Sequence, residues 1–218
     1  MRPDTGAPGS QSSRDTFQWK RNQLNYRDSN PLTLGSLGQF GIGTVSKPQQ
    51  EQDVITLYHQ LVGAGVIRGL KFLSTSSSER YDGLFVYEYP TSDYAFRDDN
   101  PLGVANSEIA PAESDPKVIE YKYNFDSLIN DFEKEVKFHG DINLVVCWEI
   151  GDKWKEKYTF NSYIISDEGS NRQIYGATHA CYISGHKMFD VLILEEFLFY
   201  LSDRATAEAQ QRVKYVGR

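Results

Sequence analysis

Apolar positions recur along this chain with two periods. Val54, Leu57, Tyr58, Leu61 and Val62 repeat at helical spacing and predict a helix over residues 49–64. Pro48 suits its first turn, Glu51 and Asp53 complement its positive N-terminal end, and Gly63 and Gly65 stop it. VIRGLKFLSTS then reads as a strand over about 66–75. After the polar turn SSSER, the segment RYDGLFVYEYP (80–90) alternates Leu84, Val86 and Glu88 against Phe85, Tyr87 and Tyr89, a second strand. PKVIEYKYNF (116–125) reads as a short central strand. Asn124 or Asp126 caps a helix over 126–139, with Leu128, Ile129, Phe132, Val136 and Phe138 on its apolar face. INLVVCWEI (142–150) is a nearly continuous apolar run, which suits a strand covered on both faces. Strand, helix and strand with short links imply a parallel, right-handed crossover. Beyond Lys157, YTFNSYII and ATHACYIS read as further strands, and FDVLILEEFLFYL (189–201) as a helix or a strand running into one. The expected fold is α/β, a mixed central β-sheet flanked by helices.

Three stretches break this pattern. Residues 1–47 are rich in Gly, Ser, Asn, Gln and Pro and read as a flexible arm, packed on the domain or on a partner. Their glycines at 35, 38, 41 and 43 match neither a phosphate loop nor a dinucleotide fingerprint. Residues 91–116 form a long acidic connection, and a loop of that length inside a domain is usually functional or mobile. Residues 204–218 read as a tail. That leaves one domain over 48–203, with its core at 48–150.

Composition narrows the classes. With 39% hydrophobic and 13% aromatic residues among 218, the chain is not wholly disordered, collagen-like or coiled-coil. Cys147 and Cys181 alone build neither a disulfide framework nor a zinc ribbon, which fits a reducing, cytoplasmic setting. No apolar run approaches the roughly 20 residues that span a bilayer, and the N-terminus carries no secretory h-region. The net charge is −7. Residues 1–50 hold six basic and three acidic side chains, leaving 17 against 27 in the remainder. A nucleic-acid role therefore needs a local patch, a metal ion or a partner protein. Lys153, Lys155 and Lys157 alternate as a strand would place them and form the best local phosphate-contact patch, the alternative being a solvated edge. Trp148, Trp154 and Tyr158 either stack on bases or pack in the core.

The candidate chemistry lies in the strand over 116–125. The two-residue period puts Glu120 and Lys122 on one face and Tyr121 on the other. Asp82, on a neighbouring strand, can bring its carboxylate beside Glu120. Two carboxylates and a backbone carbonyl, here that of Tyr121, make a hard oxygen site suited to Mg²⁺ or Mn²⁺. Such a metal lowers the pKa of a bound water and neutralises charge on a scissile phosphate. Lys122 can orient that water or stabilise the phosphate.

Tyr81-Asp82-Gly83, then Glu120-Tyr121-Lys122, then a helix and LVVCW form an order that resembles the PD-(D/E)xK nuclease superfamily over residues 48–150. The resemblance implies a restriction-endonuclease-like core, with Asp82 as the first motif acid, Glu120 and Lys122 as the second motif, and Glu51 as an auxiliary acid with Asp53 as its rival. Tyr81 stands where proline is frequent. PQQEQDVITLYHQL, YDGLFVYEY and LVVCWE further resemble nuclease-like modules beside Hsp90-type (GHKL) ATPase domains in prokaryotes. This implies Mg²⁺-dependent DNA cleavage in antiviral defence or DNA processing, a possible ATPase partner and a possible homodimer.

Each signal has a plainer reading. Glu120 and Lys122 can form an exposed ion pair worth under about 1 kcal/mol. Asp82-Gly83 can be a hairpin turn, and Glu51 can serve only the helix terminus. Glu135-Val136-Lys137 repeats the Glu-x-Lys pattern on the expected helix, where it reads as a solvated pair. His59, His139, His179 and His186 read as surface or satisfied core residues, and Cys147 as a small buried hydrophobe. The remaining class is a binding module of the same fold without cleavage.

Overall fold

The computed structural model describes residues 9–76, 78–165 and 169–216. They divide into two compact units, residues 9–33 with 43–47 and residues 34–42 with 48–216. In the first unit, α1 (Gly9–Ser29) runs for 21 residues. Residues 10–29 contain neither Gly nor Pro, so nothing interrupts the helix, and Gln18 donates to Asn22 one turn on. The expectation of little regular structure is corrected there. Phe17, Trp19 and Leu24 are exposed along α1. A short bridge joins Pro31 to Ser46 within the same unit.

The second unit is built on seven strands: β1 (Leu70–Thr75), β2 (Gly83–Tyr87), β3 (Lys117–Asn124), β4 (Leu144–Glu149), β5 (Thr159–Ser162), β6 (His179–Ile183) and β7 (His186–Ile193). Their order across the sheet is β1-β2-β3-β4-β7-β6-β5. The β3–β4 and β4–β7 pairs are parallel and the other four are antiparallel, so the sheet is mixed as expected. Helices α2 (Glu51–Gly63), α3 (Phe125–Glu133), α4 (Trp154–Lys157), α5 (Leu194–Ser202) and α6 (Arg204–Gln211) flank it. β4 is buried from Leu144 to Trp148, which explains its unbroken apolar run. Val145 and Cys147 face a core shared with Phe125, Leu128 and Phe132 of α3. Trp148, Trp154 and Tyr158 are buried too, so they are packing residues.

Several local readings change. α3 stops at Glu133 rather than continuing to 139, because Glu135 adopts a left-handed φ of 56° and turns the chain. Val136 and Phe138, read as part of its apolar face, are exposed. Lys153 caps and Lys155 and Lys157 lie in the helical turn α4, not in a strand, so the three do not alternate along one edge. The helical period puts 153 and 157 on one side and 155 nearly opposite.

The 91–116 connection is ordered by short bridges such as Tyr89 to Ala110, by Asn100, and by one deeply buried side chain. Arg172 is fully buried and donates to the carbonyls of Pro101, Gly103, Tyr163 and Ala177. A Cβ on Gly103 would lie 2.4 Å from the Ala95 backbone, so only glycine allows this close approach. The expected tail is also folded from Arg204 to Val216. Asp203 caps α6 by accepting from Thr206 N–H, and Ala207 and Gln211 are buried.

Candidate active site

The candidate cluster forms where β2 runs out. Its pairing with β3 ends at Gly83↔Ile119, so the next residues of β3 have a vacated edge beside them. Asp82 fills that edge: its Oδ2 accepts from the Tyr121 N–H at 2.7 Å. The carbonyl of Tyr121 lies on the same side of the strand as its N–H. A Cβ on Gly83 would meet Ser74 O at 2.7 Å and Ile119 at 3.3 Å, so glycine here lets the hairpin close on β3. Asp82-Gly83 thus ends a hairpin and carries a carboxylate to the central strand at once.

Glu120 and Lys122 share a face, as their spacing predicts. Their charged atoms are 3.0 Å apart. Tyr121 points the other way, its hydroxyl 3.1 Å from His59 and its ring against Tyr58 on α2. Lys122 also lies 3.2 Å from Asp131 of α3 and 3.7 Å from Glu51 at the start of α2. Lys137, from the turn after α3, pairs with the same Oε1 of Glu120 that faces Lys122. Three carboxylates thus share two ammonium groups, and Asp82 is a fourth acid whose charge bears on Glu120 and Glu51. Asp53, the rival of Glu51, is spent on the helix start, where it accepts from the N–H groups of Gln49 and Gln50.

Burial and neighbouring charges shift the pKa values of this cluster. Glu120 is wholly buried, and desolvation outweighs the lysines and raises its pKa, with Asp82 adding repulsion. Desolvation also raises Glu51, opposed by Lys122. For Lys122 burial acts downward, but Glu120, Glu51 and Asp131 outweigh it and hold the ammonium above its ordinary value. Lys122 therefore keeps its proton throughout the neutral range and can donate but not accept.

The donor set suits a divalent cation in two respects. Glu120 Oε2 is buried and has no hydrogen-bond partner among the described residues, a costly state for a carboxylate oxygen. The charge left over is negative by two with all four acids ionised. Among the described residues no three His, Cys, Asp or Glu side chains form a metal-ligating group. Mg²⁺ takes one or two carboxylates and keeps its remaining waters, so Asp82, Glu120 and the Tyr121 carbonyl match that demand.

Sequence reasoning missed Asp131 and Lys137. Asp131 had no signal beyond its place on a helix that follows the charged strand. Lys137 had one, the second Glu-x-Lys, but its partner is Glu120 rather than Glu135. The lysines over 153–157 lie apart from the cluster in their contacts: Lys153 donates to Asn130 and Lys155 pairs with Asp152.

Fold and cluster together define an α/β protein with a partly buried carboxylate–lysine network centred on β3. Comparison with family models, curated proteins and solved structures gives no match. No helix among the described residues is long and apolar enough to cross a membrane.

Proposed function

We propose that this chain is a metal-dependent nuclease hydrolysing phosphodiester bonds of DNA. The observation that carries the reading is the meeting of Asp82, Glu120, Lys122 and Glu51 around the vacated edge of β3. Asp82, Glu120 and the Tyr121 carbonyl would hold Mg²⁺ or Mn²⁺, with Glu51 assisting. The metal supplies an acidified water and charge neutralisation at the phosphate. Lys122, fixed among three carboxylates, offers its protons to the attacking water or to a phosphate oxygen. Without a cation the cluster's negative charge repels a polyanion, so binding of the backbone depends on the ion. Lys153, Lys155 and Lys157, at and within α4, would supply phosphate contacts.

The resemblance to prokaryotic nuclease modules extends the proposal to a cytoplasmic role in defence or DNA processing, acting as a homodimer or with a separate ATPase. One observation favours a second reading, a binding module without cleavage: Glu120 is wholly buried and already faces two lysines.

Cleavage of plasmid, linear and single-stranded DNA, with Mg²⁺, Mn²⁺ or EDTA, tests the choice. Wild type should cut only with metal, and Lys122→Ala should lose on the order of 100-fold or more. Cleavage that survives EDTA, or that Lys122→Ala leaves intact, sinks the assignment. Absence of cutting by folded wild type, alone or with a candidate ATPase, favours the binding module.

A further inference from the structure

Three observations converge on Lys137. Its ammonium meets Glu120 Oε1, the oxygen that also faces Lys122, while Glu120 Oε2 is buried and unpaired among the described residues. Lys137 is itself buried, 8% exposed, although the residues on either side of it, Val136 and Phe138, are 49% and 46% exposed. The turn that carries it starts at the left-handed Glu135 and is tied to the strand side: Tyr81 Oη accepts from the Phe138 N–H, Arg80 lies over the Phe138 ring, and Lys137 over the Tyr81 ring. A cation is thus delivered to the candidate ligand by a lightly covered turn adjoining Asp82.

From this geometry we infer that Lys137 is the site's internal counter-cation, which a divalent ion must displace from Glu120. The inference rests on the metal-dependent reading above. A buried carboxylate needs a positive partner. In the absence of metal, Lys137 supplies it and holds Glu120 in place. When Mg²⁺ or Mn²⁺ approaches Glu120 and Asp82, the ammonium is a like charge at contact distance and opposes binding. Lys137 is therefore a positioning residue that sets metal affinity, distinct from Lys122, which three carboxylates retain.

The test is Mn²⁺ binding by electron paramagnetic resonance to the full chain, for wild type, Lys137→Met and Lys137→Arg. Lys137→Met should bind Mn²⁺ on the order of tenfold more tightly, and Lys137→Arg should stay near wild type. Folded Lys137→Met that binds no more tightly than a wild type that does bind overturns the inference and spares the nuclease reading. Wild type and both variants failing to bind at millimolar Mn²⁺ removes the metal-dependent reading and this inference with it. Reductive methylation of wild type, mapped by mass spectrometry, covers the case in which Lys137→Met does not fold. Lys137 should be modified faster with Mg²⁺ than without, and an unchanged rate overturns the inference.

Discussion

His179 shows how far one side chain's surroundings decide its charge. It is wholly buried, with Nδ1 2.9 Å from Thr178 Oγ1 and Nε2 2.9 Å from Gln211 Oε1. An amide oxygen only accepts, so Nε2 carries the proton and donates. Burial lowers its pKa to about 4, against 6.5 in a free histidine, although Glu196 works the other way. A depressed folded-state pKa means that the unfolded chain takes up the proton first. Its contribution to stability is complete above pH 6.5 and is lost as pH falls towards 4. The loss amounts to up to about 3 kcal/mol. Urea unfolding at pH 7 and pH 4.5 should show this loss in wild type and a smaller one in His179→Gln. Equal losses in the two proteins would place the acid sensitivity elsewhere. The same logic acts in reverse at Lys122, whose raised pKa keeps its ion pairs closed up to alkaline pH.

At the scale of elements, α6 is the clearest departure from expectation. Gln211 reaches inward from it, accepting from Ser162 and His179 and donating to Glu196. Replacing it with alanine removes the acceptor of Ser162 and His179, while Glu196 keeps Lys214 and Tyr215, and a buried group left unpaired costs about 1–3 kcal/mol. Gln211→Ala should therefore lower the thermal midpoint by at least about 3 °C. An unchanged midpoint in differential scanning calorimetry would mean that α6 is only draped on the sheet. The sequence hid this role because RATAEAQQ carries little apolar signal, and its anchor is one amide. By contrast β3, β4 and α2 were legible, since their periods follow directly from which faces they bury. Glu120 and Lys122 were legible for the same reason. Asp131 and Lys137 were not, because each reaches the cluster through tertiary placement. A left-handed Glu135, with no glycine or proline to announce it, turned Lys137 inward.

At the scale of the molecule, distant segments are joined by few but costly links. Arg172 holds the 91–116 connection against residues 163 and 177 through four carbonyls. Burial lowers its pKa to about 10, so it remains charged near neutrality. Arg172→Met keeps much of the bulk but strands the four acceptors. The expected cost of about 3–5 kcal/mol should lower the thermal midpoint by roughly 10 °C. Limited proteolysis should then cut first within residues 91–116. A variant as resistant as wild type would show that the connection is held by its apolar contacts, Leu102 and Val104 among them.

The position of β7 has a consequence for synthesis. It is the last of the seven strands in chain order, yet it lies between β4 and β6. Until residues 186–193 have left the ribosome, β4 can pair only with β3, and its other edge, from Leu144 to Cys147, stays open. That edge is the most apolar ladder in the sheet. A nascent chain therefore passes through a stage in which its best aggregation template is exposed, and a trigger-type chaperone has a defined interval in which to cover it.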